Sequence, residues 1–192
     1  MEKTAPAGVP RWIFIVIILI LAAMYYYAAY VIPMDAEQTV DDFYTAIFAQ
    51  DYQTAADKLS VLSFAPMLPQ FGSSPQEMID NRAAVEESMV ALLEAGGQGQ
   101  APPADMSFEI MSEYTKQGEN VAVVICRLLQ EGESVGLQRA ILINEKGHMR
   151  ILGMAPMFEE DLPLVEKTRI EELDKEFNQL FGPPRLEVKP GS

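Results

Sequence analysis

The sequence predicts an α+β protein that carries one transmembrane helix near its N-terminus. A charge-free apolar run predicts the transmembrane helix, over residues 12–32. Apolar residues at helical spacing predict three helices between residues 35 and 95, and alternation of apolar and polar residues from residue 106 predicts a four-stranded antiparallel sheet. A further amphipathic helix is predicted over residues 161–181.

The apolar run has the length and the flanking residues of a membrane anchor. Residues 12–32 contain no charged side chain, and as a helix they span about 30 Å, the hydrocarbon thickness of a bilayer. Bulky aromatic residues near the exit argue against a cleaved signal peptide, and no cysteine directly follows the run to carry a lipid. The aromatic residues expected at the two membrane interfaces are Trp12, Tyr25, Tyr26, Tyr27 and Tyr30.

Flanking charges predict the orientation of this anchor. Lys3 and Arg11 precede it and several acidic residues follow it, so residues 1–11 are expected in the cytoplasm. The remainder is then expected outside, in the periplasm if the source is bacterial. The net charge of −14 excludes nucleic acid as a partner, because phosphate binding requires basic patches. A solvated acidic surface or a basic protein partner is compatible with this charge.

The helical region contains start and stop signals. Asp35 begins the first helix, and Asp51 ends it and caps the second. Ser74, with Glu77 three residues later and a proline between them, begins the third helix, which stops at Gly96. The segment SVLSFAPMLPQFGSSP (residues 60–75) is predicted to be an apolar loop, folded back over the core or free for docking.

The strand region is predicted to be a meander with short turns. Its strands are expected at residues 106–114, 121–130, 136–144 and 148–154, the last two joined by a tight hairpin. The second strand is apolar on both faces, which is typical of a central strand. Cys126 lies within it, flanked by apolar residues, and is expected to be a core residue.

The order of these elements resembles the nuclear transport factor 2-like family. The segment FYTAIFAQDYQTAADKLS (residues 43–60) and the strand GHMRILG (residues 147–153) carry the resemblance, which covers residues 35–155. It implies an α+β roll, with three helices packed on a curved four-stranded antiparallel sheet, and homodimerisation through the sheet as one alternative. His148-Met149 stand where the family usually has a tryptophan, and residues 156–192 lie outside the usual roll.

Enzymes that resemble this fold place acids, histidine or tyrosine in the cone between helix and sheet. By that resemblance, Tyr44, Phe48 and Tyr114 are candidate pocket residues. His148, the only histidine, follows the hairpin glycine, where strand residues usually face solvent, so a structural role is favoured. Adjacent carboxylates on a helix point about 100° apart and do not converge. Metal-ligand spacing and cofactor motifs are absent, so the sequence predicts a non-enzyme without cofactor or metal.

The expected function is that of an accessory or scaffold subunit of a larger membrane protein complex. The complex could serve secretion, lipid uptake, photosynthesis or respiration. Candidate docking residues are the large apolar residues of the loop and of the segment after the last strand: Phe64, Met67, Leu68, Phe71, Met157 and Phe158. The alternative is a module that binds a small apolar ligand in the cone, where some of the 11 methionines could form an adaptable lining. The helix 161–181 either covers the sheet or reaches a partner.

Overall fold

The computed structural model describes residues 18–21, 35–71, 74–97, 103 and 105–181. The chain divides into two units, Met1–Pro33 and Met34–Ser192. In the second unit, the helices that precede the sheet are α1 (Asp35–Phe48), α2 (Tyr52–Lys58), α3 (Pro75–Asp80) and α4 (Arg82–Gly97). The strands are β1 (Met106–Ile110), β2 (Lys116–Gln117), β3 (Val121–Gln130), β4 (Glu133–Glu145) and β5 (His148–Met157). Helices α5 (Leu162–Lys167) and α6 (Ile170–Phe181) follow.

The prediction of a membrane-spanning helix over residues 12–32 is wrong for the part of the chain that the structure describes. No helix there combines the length and the apolar character that crossing a membrane requires. Residues 18–21 are helical with exposed side chains. The structure therefore does not support the predicted single-pass location, signal-anchor role and orientation. The rest of the run lies outside the described residues, as do Trp12, Tyr25, Tyr26, Tyr27 and Tyr30.

The sheet of the second unit has five antiparallel strands, where the sequence predicted four. Its order is β1-β3-β4-β5, and β2 also pairs with β3. The difference arises because the predicted strand 106–114 ends at Ile110, and a 3-10 turn at Ser112–Tyr114 redirects the chain. Lys116 and Gln117 then pair with Val123 and Ala122 as a separate short strand.

Local capping explains the helix boundaries. The Asp51 side chain accepts a hydrogen bond from the Thr54 amide at 3.1 Å, so it caps α2 as predicted. Ser74 and Glu77 form the predicted capping box at the start of α3. The predicted third helix is divided at Asn81, which leaves the helical conformation with φ −93° and ψ 18°.

The inner face of the sheet is the one that packs against α1–α4. Large apolar residues from both sides are fully or almost fully buried there, and they include Val40, Val85, Met89, Val124, Leu142 and Ile151. Cys126 also lies in this core, as its apolar flanks predicted. Burial on this scale supplies the main driving force for folding of the unit.

The outer face of the sheet carries a second, smaller core under the C-terminal helices. Val123 and Ile125 of β3 pack there with Val165 of α5, and Leu173 of α6 is partly buried against them. The Asp174 carboxylate holds α6 in place by accepting hydrogen bonds from three successive backbone N–H groups in the turn before β3, those of residues 119–121, at 2.8, 2.9 and 2.9 Å. The predicted C-terminal helix, which is divided at Thr168, therefore covers the sheet.

Candidate functional site

The space between α1 and the inner face is filled by aromatic rings around Tyr44. The Tyr44 ring stacks on Phe108 with centroids 4.8 Å apart and lies 6.0 Å from Phe48. Phe48 and Phe108 are themselves 5.9 Å apart. Tyr114, the third residue of the predicted pocket, packs instead in the core of the outer face. The structure thus brings Tyr44 and Phe48 together and places Tyr114 on the opposite side of the sheet.

The polar groups beside these rings are poor candidates for catalysis. The Tyr44 hydroxyl donates a hydrogen bond to Oε1 of Gln138 and accepts one from the Cys126 thiol at 3.7 Å. Burial raises the pKa of Tyr44, and the nearby Cys126 raises it further. Burial also raises the pKa of Cys126, against a smaller lowering by the hydrogen bond with Tyr44. A nucleophile or general base needs a lowered pKa or one near neutrality, so this pair serves the core.

A buried ionic cluster joins α2, α4 and β4. Nη1 of Arg82 donates to Oε2 of Glu145 at 2.9 Å, and the Ser60 hydroxyl donates to Oε1 of the same carboxylate. Nη2 of Arg82 also donates to the carbonyl oxygens of Asp57 and Leu59, at 2.8 and 3.1 Å. The Glu145 side chain is only 2% exposed. Both of its oxygens have partners, so the cluster is a structural support.

The predicted docking residues differ widely in exposure. Leu68 and Met157 are buried, Phe64 and Phe71 are half-buried, and Met67 and Phe158 are exposed. Phe64, Leu68 and Phe71 contribute to the inner core, whereas Met157 packs on the outer face. Of the six, only Met67 and Phe158 therefore offer most of their side chains to a partner.

Phe158 and two other exposed apolar residues lie near the end of the sheet. The Phe158 side chain is 76% exposed, and Leu164, in the first turn of α5, is 63% exposed. Val135 is also exposed, at 53%. It lies two residues before Leu137, which pairs with Met157, so the backbone of Val135 runs near the residues that follow β5. We call the surface formed by Val135, Phe158, Glu159, Glu160 and Leu164 the Phe158 surface.

Acidic side chains accompany these apolar residues. Glu159 and Glu160 directly follow Phe158 and are exposed. The backbone of this turn is fixed, since the Phe158 amide donates to the Asp161 carboxylate at 3.3 Å and the Asp161 amide donates to the Phe158 carbonyl at 3.0 Å. The surface thus combines apolar area with negative charge on a well-defined turn.

Sequence reasoning identified Phe158 but missed Val135 and Leu164. Their exposure depends on how β4 and α5 meet at the end of the sheet, and neither residue carries a local signal for it. His148, the only histidine of the chain, is exposed at the start of β5. Among the described residues, no group of three or more His, Cys, Asp or Glu side chains is arranged to hold a metal ion.

Comparison with known proteins adds no relative to this description. No protein-family model matches the chain, and no curated protein matches it. The resemblance to the nuclear transport factor 2-like family therefore stays a prediction from the sequence.

Proposed function

We propose that the protein is a non-catalytic interaction domain that binds a basic protein partner through the Phe158 surface. The observation that carries the proposal is the 76% exposure of the Phe158 side chain. Val135 and Leu164 are also exposed near this end of the sheet. Large exposed apolar side chains that lie near one another can mark interaction sites, and aromatic anchors that become buried in an interface supply much of its binding energy.

Charge determines the kind of partner. Glu159 and Glu160 directly follow Phe158 and are exposed, and the whole chain carries a net charge of −14. A basic partner would be steered toward this surface by the field of the protein, and its association would be faster at low salt. A second copy of this chain would bring the same acids together, and that repulsion makes it the less favoured occupant.

This proposal keeps the accessory role expected from the sequence and leaves out the membrane anchor. The alternative function, binding of a small apolar ligand between α1 and the sheet, has less support. The rings of Tyr44, Phe48 and Phe108 already pack against one another there, with centroids no more than 6.0 Å apart.

Photo-crosslinking tests the proposal first. Phe158 is replaced by the similar photoreactive residue p-benzoylphenylalanine in cells of the source organism, and the crosslinked partner is identified. Met67, which is 65% exposed but not followed by acidic residues, is replaced in the same way as the matched control. A discrete product is expected from position 158 and not from position 67.

The affinity of the purified partner for the wild-type protein and for Phe158→Ala then tests whether the Phe158 surface is the binding site. Phe158→Ala should weaken the affinity at least tenfold, which is about 1.4 kcal/mol, and leave the stability of the domain unchanged because the ring is exposed. The affinity should also fall as salt concentration rises. Equal affinities of the wild-type protein and of Phe158→Ala, or an affinity that is independent of salt, would refute the proposal.

A further inference from the structure

A cavity of about 320 Å³ lies between the outer face of the sheet and the C-terminal helices. Its walls are mostly apolar and include Val123, Ile141 and Leu173. The volume is at the lower end of the range of small-molecule sites, which is about 300–1,000 Å³. Phe158 does not line this cavity, which shares only Leu164 with the Phe158 surface.

Arg139 of β4 also lines this cavity; its side chain is exposed to solvent and forms no ion pair within the described part of the chain. The other arginines described there each form an ion pair with a carboxylate: Arg82, Arg127, Arg150 and Arg169. Arg139 forms none with any carboxylate that the structure describes. Asp161 lines the same cavity, where its carboxylate accepts a hydrogen bond from the Phe158 amide and forms no ion pair with Arg139.

An unpaired arginine beside apolar walls suits one class of ligand. The planar guanidinium donates two parallel hydrogen bonds to a carboxylate, a geometry that an ammonium group cannot reproduce. Apolar walls then favour a hydrocarbon body, each buried methylene group adding to the affinity. The neighbours of Arg139 along β4 support its position on the outer face of the sheet. Arg139 lies between Leu137, a core residue of that face, and Ile141, which lines the cavity.

We propose that this cavity binds a small monocarboxylate with an apolar body, whose carboxylate pairs with Arg139. The apolar body lies against the walls that β3, β4 and α6 supply. The proposal goes beyond the interaction function, and neither depends on the other. It assigns Arg139 to ligand binding and gives α5 and α6 a second role as the outer wall of a site.

Titration calorimetry of the purified full chain with octanoate tests this assignment. Saturable binding is expected, and Arg139→Gln should weaken it at least tenfold. Arg139→Lys keeps the charge without the two-pronged geometry and should give an intermediate affinity. Octan-1-ol has the same chain without the charge, so it should bind more weakly than octanoate.

Arg127→Gln is the matched control. Arg127 lies on the same face of the sheet, opposite Leu137, but pairs with Glu109 at 3.0 Å and does not line the cavity. Octanoate affinity should be unchanged in this variant and in Phe158→Ala. The assignment is overturned if wild-type protein shows no saturable binding, if Arg139→Gln binds as well as wild type, or if octylamine binds more tightly than octanoate.

Discussion

Glu145→Gln should destabilise the second unit far more than removal of any exposed carboxylate. The replacement keeps the shape of the side chain but removes its charge and one of its two acceptor oxygens. The new amide group must then face either the Arg82 guanidinium or the Ser60 hydroxyl, both of which donate to Glu145 in the wild-type protein. When the amide faces Ser60, the direction of that hydrogen bond reverses, and Arg82 then donates to a neutral oxygen in place of a carboxylate, so its guanidinium loses its counter-charge in a region where water has little access.

The expected loss of unfolding free energy in Glu145→Gln follows from the burial of the ion pair. Removing one partner of a buried ion pair costs about 3–5 kcal/mol, and we expect about 3 kcal/mol because the Arg82 side chain is still 20% exposed. Arg82 also keeps its bonds to the carbonyl oxygens at the end of α2, which moderates the loss. For a domain of this size, such a change lowers Tm by about 6–12 °C.

Urea unfolding followed by circular dichroism measures this free energy, and Glu172→Gln is the matched control. The Arg169–Glu172 pair has the same nitrogen–oxygen distance as the Arg82–Glu145 pair, 2.9 Å, but its side chains are 75% and 60% exposed. Exposed pairs contribute about 0–1 kcal/mol. Equal losses in the two variants would show that burial does not govern the strength of the Glu145 pair, and the reasoning would fail.

Three other residues give separate predictions. The hydrogen bond from Lys58 holds the pKa of Asp42 below its usual value of 3.8, so Asp42→Asn should cost less than about 1 kcal/mol. That cost should be present above pH 3.8 and vanish as the pH falls through the lowered pKa of the folded protein, and a cost that persists in acid would contradict the ion pair. Cys126, which is fully buried and has a raised pKa, should react with a thiol reagent only as urea unfolds the domain; rapid labelling of the native protein would be the contrary result. Asp174→Ala removes three charge-assisted hydrogen bonds, so amide hydrogens of α6 should exchange about 30-fold faster, as expected for a local loss of about 2 kcal/mol, while those in the centre of β3 stay protected. Uniform acceleration in both elements would instead indicate a global loss of stability.

The sequence predicted elements correctly where each group and its partner lie close together in the chain. Asp51 caps a helix through the amide of Thr54, three residues away. The hairpin before β5 has positive φ at Lys146 and Gly147, 53° and 91°, as a two-residue turn between twisted antiparallel strands requires. Such signals depend on local backbone geometry, and tertiary packing does not reverse them.

Features set by distant residues could not be predicted in this way. Glu145 ends a strand beside a tight turn, where a carboxylate usually faces water. Its burial depends on Arg82, which lies 63 residues earlier. The exposure of Leu164 and the unpaired state of Arg139 also depend on how α5 meets the sheet. The length of the charge-free apolar run and its flanking aromatic residues predicted the membrane helix, and the described residues contain no helix that meets the requirements for a membrane span.

Coverage of the outer face by α5 and α6 determines where the second unit can bind a partner. Antiparallel sheets commonly leave one face to solvent, and an uncovered face with Val123 and Ile125 would be a large apolar surface. Val165 and Leu173 close it, and Asp174 anchors the closing helix to the turn before β3. Because α1–α4 fill the inner face, the large apolar side chain that is most exposed among the described residues, Phe158, lies at the end of the sheet, where a protein can reach it. The same helices leave the cavity beside Arg139 too small for a protein, so the two proposed sites differ in the class of partner that each admits.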